Sequence, residues 1–208
     1  MTAAISDFVL PVSLDRNEAS FVGTAFVVSD FLITAGHVLG DYRDYYARFG
    51  GNYLTLSPDK WIPQLAPAAD KLEYDVALYR AHAPQSPLVL APDGDDVEPD
   101  DELELVCWQR TGGKLRQVST RCLTLGDAQV DGYFKIATVD RITHGSSGCP
   151  VMKDGKVYGI VTMGRDYFEL SDDMRSMSPR ACQVMQVMGR NTCWVFKTSH
   201  IRRFIPRE

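Results

Sequence analysis

Short apolar or alternating segments recur along the whole chain, separated by turn residues, and helical periods are few. The first half holds "DFVLPV", "SFVGTAFVVS", "FLITA", "NYLTLS" and "DVALYR"; the second holds "LELVCWQ", "KLRQVSTRCLTL", "YFKIATV", "KVYGIVTM" and "CWVF". β-Branched and aromatic side chains are frequent in them, and these fit a pleated, half-buried surface. Repetition of this kind predicts an all-β sandwich or barrel. With 208 residues, 45% of them hydrophobic, the chain is long enough to bury a real core.

The stretch "APDGDDVEPDDE" (91–102) interrupts this pattern with Pro, Gly and seven acidic residues. It reads as a solvated connector between two halves, 1–95 and 96–208. In "KTSHIRRFI", Ile201, Phe204 and Ile205 recur at helical spacing, which predicts a C-terminal helix with Thr198 or Ser199 as N-cap. Residues 165–190 fit neither a clean strand nor a clean helix and read as an inserted loop, with room for one extra hairpin.

Charge and cysteine usage narrow the function. The net charge of −5 argues against nucleic acid as partner, because phosphate binding needs a positive footprint. No apolar run of about eighteen residues exists to span a membrane. The N-terminal "MTAAISDFVLPVSLDR" lacks a basic region and carries Asp7, unlike a secretory signal. Cys107, Cys122, Cys149, Cys182 and Cys193 are odd in number and not closely spaced, which speaks against a disulfide framework and for a cytoplasmic setting. Zinc-type spacings are absent, so neither a metal nor a cofactor is expected.

Three features carry chemistry. His37 follows an apolar strand in "FLITAGHV"; taken alone it is as readily an ordinary structural histidine. His82, His144 and His200 lack a comparable setting. Asp75 leads directly into the apolar "VALYR", and a carboxylate entering a core needs a hydrogen-bonding partner such as a histidine N–H. In "THGSSGCPVM", glycines flank two serines. Gly145 lets the backbone turn so that the N–H groups of Gly145 and Ser147 point into one hollow, while Gly148 permits close approach. The chain order His, Asp, Ser differs from the order of α/β-hydrolases and matches that of chymotrypsin-type enzymes.

On these residues the chain resembles the chymotrypsin-like (trypsin-like) serine proteases. "TAGHV" is similar to their T-A-A-H-C, "DVALY" to D-I-A-L-L, and "GSSGCPV" to G-D-S-G-G-P. "YGIVTMG" is similar to the G-I-V-S-W-G strand beside the specificity pocket, and the terminal helix makes a fifth match in order. The short spacings resemble bacterial and viral members most. The resemblance implies two six-stranded antiparallel β-barrels, the first carrying His37 and Asp75 and the second carrying Ser147, closed by a C-terminal helix.

The resemblance also implies roles. His37 would be the general base, Asp75 its orienting partner and Ser147 the nucleophile, with Gly145 and Ser147 supplying the oxyanion-hole amides. Thr162 would give its hydroxyl to Asp75, and Thr162, Met163 and Gly164 would line the substrate's main chain as an added strand. Arg141, at the base of the pocket in this comparison, would favour an acidic side chain if it faces inward rather than to solvent; Thr143 and His144 border the same site. Ser146 replaces the aspartate that pairs with a freed N-terminal amine in secreted relatives, so zymogen-type activation is not expected. The implied partner is a protein or peptide substrate, with a regulatory protein as a further candidate. The rival reading is a protease-fold module that binds peptides by strand addition without efficient chemistry.

Overall fold

A computed structural model describes residues 4–40, 43–62, 75–81, 86–128, 131–165 and 192–206. His82 and all but the first residue of the 165–190 insertion lie outside them. Two antiparallel, barrel-like sheets dominate. The first contains β1 (Val9–Ser13), β2 (Phe21–Val28), β3 (Phe31–Thr34), β4 (Tyr45–Phe49), β5 (Asn52–Leu56), β6 (Trp61–Ile62) and β7 (Ala77–Arg80) in the order β5-β4-β1-β2-β3-β7-β6. Their apolar residues are buried on both faces: Val12, Ala25, Phe26, Val27, Leu32 and Ile33 are wholly buried. Pro11, which cannot donate to a ladder, sits where β1 faces β2 but lies outside its short pairing with β4.

The second sheet contains β8 (Val89–Leu90), β9 (Glu102–Thr111), β10 (Lys114–Asp127), β11 (Tyr133–Thr138), β12 (Pro150–Lys153), β13 (Lys156–Arg165) and β14 (Thr192–Lys197). They run β12-β9-β10-β11-β14-β13-β8, and an additional β12–β13 pairing closes the ring. Each sheet thus has seven strands rather than the expected six, because the two-residue strands β6 and β8 add to their edges. β8 lies just before the connector and pairs in parallel with Lys156 and Val157 of the second sheet. The turns Gly50–Gly51, Gly112–Gly113 and Asp154–Gly155 have both residues at positive φ, the two-residue hairpin geometry whose twist matches that of the strands.

The acidic connector is mostly exposed, as its composition predicts, but it is also held by side-chain contacts. Asp95 accepts hydrogen bonds from Lys156 Nζ (2.8 Å) and Tyr158 Oη (3.2 Å), and Asp101 pairs with Lys153 (3.1 Å). These contacts lay 91–102 along the second sheet. At the C-terminus, helix α1 is only Thr198–Ile201, followed by a 3-10 turn at Arg202–Phe204. Lys197 occupies the cap position, and the Thr198 hydroxyl donates instead to the Val157 carbonyl (2.7 Å). Arg202 donates to the carbonyls of Ala91 and Leu90 (2.9 and 2.8 Å), so the helix pins the connector across the second barrel.

Candidate active site

Strand pairing in the first barrel brings His37 to Asp75. β3 pairs with β7 so that Thr34 faces Ala77, which leaves Asp75, just before β7, beside the Gly36–Leu39 turn that follows β3. The Asp75 carboxylate accepts the His37 main-chain N–H at Oδ1 (2.8 Å) and meets the ring Nδ1 at Oδ2 (2.7 Å). This pair of contacts orients the imidazole with Nδ1–H toward the acid, leaving Nε2 to accept a proton. The His37 side chain is 47% exposed and that of Asp75 only 13%. A half-exposed base on a half-buried acid can therefore meet a substrate while its orientation stays fixed.

The "THGSSGCPVM" loop leads into β12 and is tied to the first barrel by one residue, Thr24 of β2. Thr24 donates its N–H to the Ser147 carbonyl (2.9 Å) and its hydroxyl to the Gly145 carbonyl (2.8 Å). The Trp108 N–H in turn donates to the Thr24 hydroxyl (3.0 Å), and Thr34 donates its own to the Thr24 carbonyl (2.7 Å). Thr34 ends the strand that leads to His37, so the loop and the histidine share a support. Gly23 reports the same closeness: a Cβ there would lie 2.6 Å from Val38 Cγ2 and 3.2 Å from the Ser147 carbonyl oxygen.

The two loop glycines are sterically required. Gly145 has φ +100, and a Cβ on it would stand 2.1 Å from the Phe21 ring. Gly148 has φ +85, and its Cβ would stand 2.2 Å from the Thr24 carbonyl oxygen. Within the loop, Ser146 N–H donates to the Thr143 carbonyl (3.2 Å), Gly148 N–H to that of Val161 (2.7 Å) and Cys149 N–H to that of Ser146 (3.1 Å). Ser146 is buried with its hydroxyl donating to the Thr143 carbonyl (2.9 Å), whereas Ser147 is only partly buried. Among the described residues the His37 imidazole is hydrogen-bonded to Asp75 and not to Ser147. In a free site, such a contact often tightens only when substrate arrives.

The remaining expected residues are more scattered. Thr162 is buried, but its hydroxyl donates to the Trp194 carbonyl (3.4 Å) and not to Asp75. The cause is a register shift: Val161 faces Val195 and Met163 faces Trp194, so Thr162 is the extra residue and turns toward its own partner strand. From the second barrel, Tyr133 lies close enough to Asp75 for the carboxylate charge to act on its phenol. Burial, reinforced by the nearby Asp75 charge, pushes this phenol up to about 12. Arg141, Thr143 and His144 are all exposed. Met163 and Gly164 pair with Trp194 and Cys193, and their side-chain surroundings lie outside the described residues.

Sequence reasoning missed Thr24, Tyr133 and Gln109. Only Gln109 had a visible signal, since it continues the inward parity Leu103, Leu105, Cys107 with a polar side chain and is buried like them. Its Oε1 accepts from the Thr143 hydroxyl (3.0 Å) and its Nε2 donates to Cys107 Sγ (3.3 Å). The four described cysteines are free and buried, and all belong to the core of the second barrel. Hydrogen bonding from Cys149 first, and also from Ser146 and Gln109, outweighs burial and brings Cys107 to about 7. Burial pushes Cys149 well up.

The fold recurs in solved structures, proteases among them. The active form of the Rv3671c protease from M. tuberculosis is similar at 19% identity and a TM-score of 0.60, over 96% of this chain and 80% of that one. Human heparin binding protein is similar at 14% identity and a TM-score of 0.64, over 98% and 92% of the two chains. Neuropsin, a serine protease of mouse brain, is similar at 15% identity and a TM-score of 0.63, over 95% and 94%. No curated protein matches the chain. The model of the trypsin family matches residues 2–171, most of the sequence. The chain belongs to the trypsin family and is a trypsin-like serine peptidase acting on protein or peptide substrates.

Proposed function

We propose that this protein is a serine endopeptidase working through His37, Asp75 and Ser147 and an acyl-enzyme. Ser147 Oγ attacks the scissile carbonyl, and His37 Nε2 takes its proton and later returns it to the leaving amine. Asp75 holds the imidazole and stabilises the imidazolium. The N–H groups of Gly145 and Ser147, neither of them engaged in the loop's own bonds, would receive the oxyanion. The observation that carries the reading is the double contact of Asp75 with His37, mounted on the strands to which Thr24 ties the Ser147 loop.

Activity without zymogen-type cleavage follows from Ser146: its hydroxyl is satisfied inside the loop and has no charge to offer a new N-terminus. Free, buried cysteines suit a reducing compartment such as the cytoplasm. Regulation by a second protein is part of the same proposal. A fluorophosphonate probe should label the wild type and spare Ser147→Ala. If a folded wild type stays unlabelled across pH 6–9 even with candidate partners added, the enzyme reading falls and a peptide-binding module takes its place. A heparin-like ligand, the kind named for one structural neighbour, suits neither version, because this chain carries −5.

A further inference from the structure

Directly before Ser147, Ser146 is 1% exposed, and its hydroxyl donates to the Thr143 carbonyl (2.9 Å). That carbonyl also takes the Ser146 N–H (3.2 Å), so Thr143 to Ser146 forms one closed turn. The turn contains Gly145 at φ +100, a residue with wide backbone freedom, so its conformation has to be selected from outside. Two side chains on one face of β9 lie beneath it. Gln109, 5% exposed, accepts from the Thr143 hydroxyl (3.0 Å) and donates to Cys107 Sγ (3.3 Å). Cys107 and Cys149, at the far end of the loop, belong to the same buried core. A buried carboxamide is costly unless both of its ends are paired. Here one end holds the start of the loop and the other the Cys107 thiol of the core beneath it.

We propose that Gln109 is a positioning residue, whose carboxamide bridges Thr143 and Cys107 and thereby holds the turn that presents the Gly145 and Ser147 amides to the reacting carbonyl. It touches no substrate and acts through Thr143, Cys107 and Ser146. The proposal rests on the catalytic reading above. It also names what stands, inside this fold, where secreted relatives use a buried charge pair: a hydrogen-bonded network within the second barrel.

Gln109→Met keeps the size of the side chain and removes both hydrogen bonds; Gln109→Glu keeps the acceptor for Thr143. On a small peptide ester, Gln109→Met should lower kcat about tenfold with KM changed less than about twofold, since the loss falls on the transition state. Gln109→Glu should recover part of that loss. The second measurement needs no activity: amide hydrogen exchange in a Ser147→Ala background. There, Gln109→Met should speed exchange at Ser146 by about tenfold while β9–β10 amides stay protected. Unchanged kcat with unchanged Ser146 exchange overturns the proposal, and so does faster exchange spread evenly over the second sheet. If the wild type fails to react with fluorophosphonate, the catalytic reading fails by itself, and the exchange result still decides whether Gln109 anchors the turn.

Discussion

In the first barrel, His37 and Asp75 meet at the ends of two paired strands and are joined by two short contacts at a half-exposed edge. In the second, the 143–149 loop is buried at Gly145, Ser146, Gly148 and Cys149 and is held on one side by Thr24 and on the other by Gln109 and Cys107. The first arrangement depends on strand register and one carboxylate. The second depends on space, because Thr24 and Phe21 of β2 crowd the loop glycines on one side and Gln109 of β9 holds Thr143 on the other. Chemical substitutions should therefore be most damaging in the first region, and steric ones in the second.

Asp75→Asn is the strongest test of the first region. The carboxamide still accepts the His37 main-chain N–H, so folding should persist, but the ring loses its preferred tautomer. In serine proteases of this type the corresponding change lowers kcat by about 10⁴-fold, and a loss of that order is expected, with a melting temperature near that of the wild type. A kcat within about tenfold of wild type would detach Asp75 from the chemistry.

Gly148→Ala tests the second region. The new Cβ would stand 2.2 Å from the Thr24 carbonyl oxygen at φ +85, and neither the backbone nor the strand can yield cheaply. About 3 kcal/mol of stability should be lost, read by urea unfolding, together with most activity. Gly36→Ala is the contrasting change in the first region. Its Cβ would meet Asp75 Oδ1 at 3.2 Å with an ordinary φ, so the cost should stay near or below about 1 kcal/mol. Equal losses from the two glycines would erase the distinction between the regions.

That distinction also explains what the chain showed before folding. His37, Asp75 and the glycine–serine loop were legible because each stands next to a strand whose alternation is plain, and because their order repeats a family pattern. The all-β architecture and the terminal helix were legible for the same reason. Thr24 and Tyr133 were not: each is one more residue in a β-rich segment, and its role appears only when the two barrels meet. Thr162 was misplaced because a one-residue register shift in β13 cannot be seen in "YGIVTMG". Side-chain parity is legible in a sequence, whereas bulges and contacts between the two barrels are set by packing.

Tyr133→Phe probes the join between the regions. It deletes the phenol hydroxyl near Asp75 while keeping the ring packed on Phe196, 5.0 Å away between centroids. The expected loss is about 1 kcal/mol in unfolding free energy, with kcat lowered only a few-fold, because the Asp75 carboxylate keeps both contacts to His37. A drop in kcat as large as that of Asp75→Asn would mean that Tyr133 governs the acid directly.

The smallest effect expected is a change of slope with pH, and it singles out the thiol cluster of the second barrel. Burial first, then the Cys107 charge, raises Cys193 from 9.0 to about 12, and burial raises Cys122 and Cys149 as well. In the unfolded chain these thiols ionise near 9, while in the folded barrel they keep their protons. The native state therefore binds more protons above that point, and stability falls as pH rises through the window toward 12. Cys107 has the opposite sign. Lowered from 9.0 to about 7, it adds stability as pH rises from 7 toward 9, and that part is lost on acidification through 7. Unfolding free energy should thus climb gently to about pH 9 and then decline. Cys193→Ala leaves a cavity and lowers the whole curve, but its alkaline limb should be shallower than that of the wild type, because one of the groups that resists ionisation is gone. Parallel alkaline limbs would remove Cys193 from the cause and leave Tyr133, raised to about 12 in the same sense, with the remaining thiols to account for the decline.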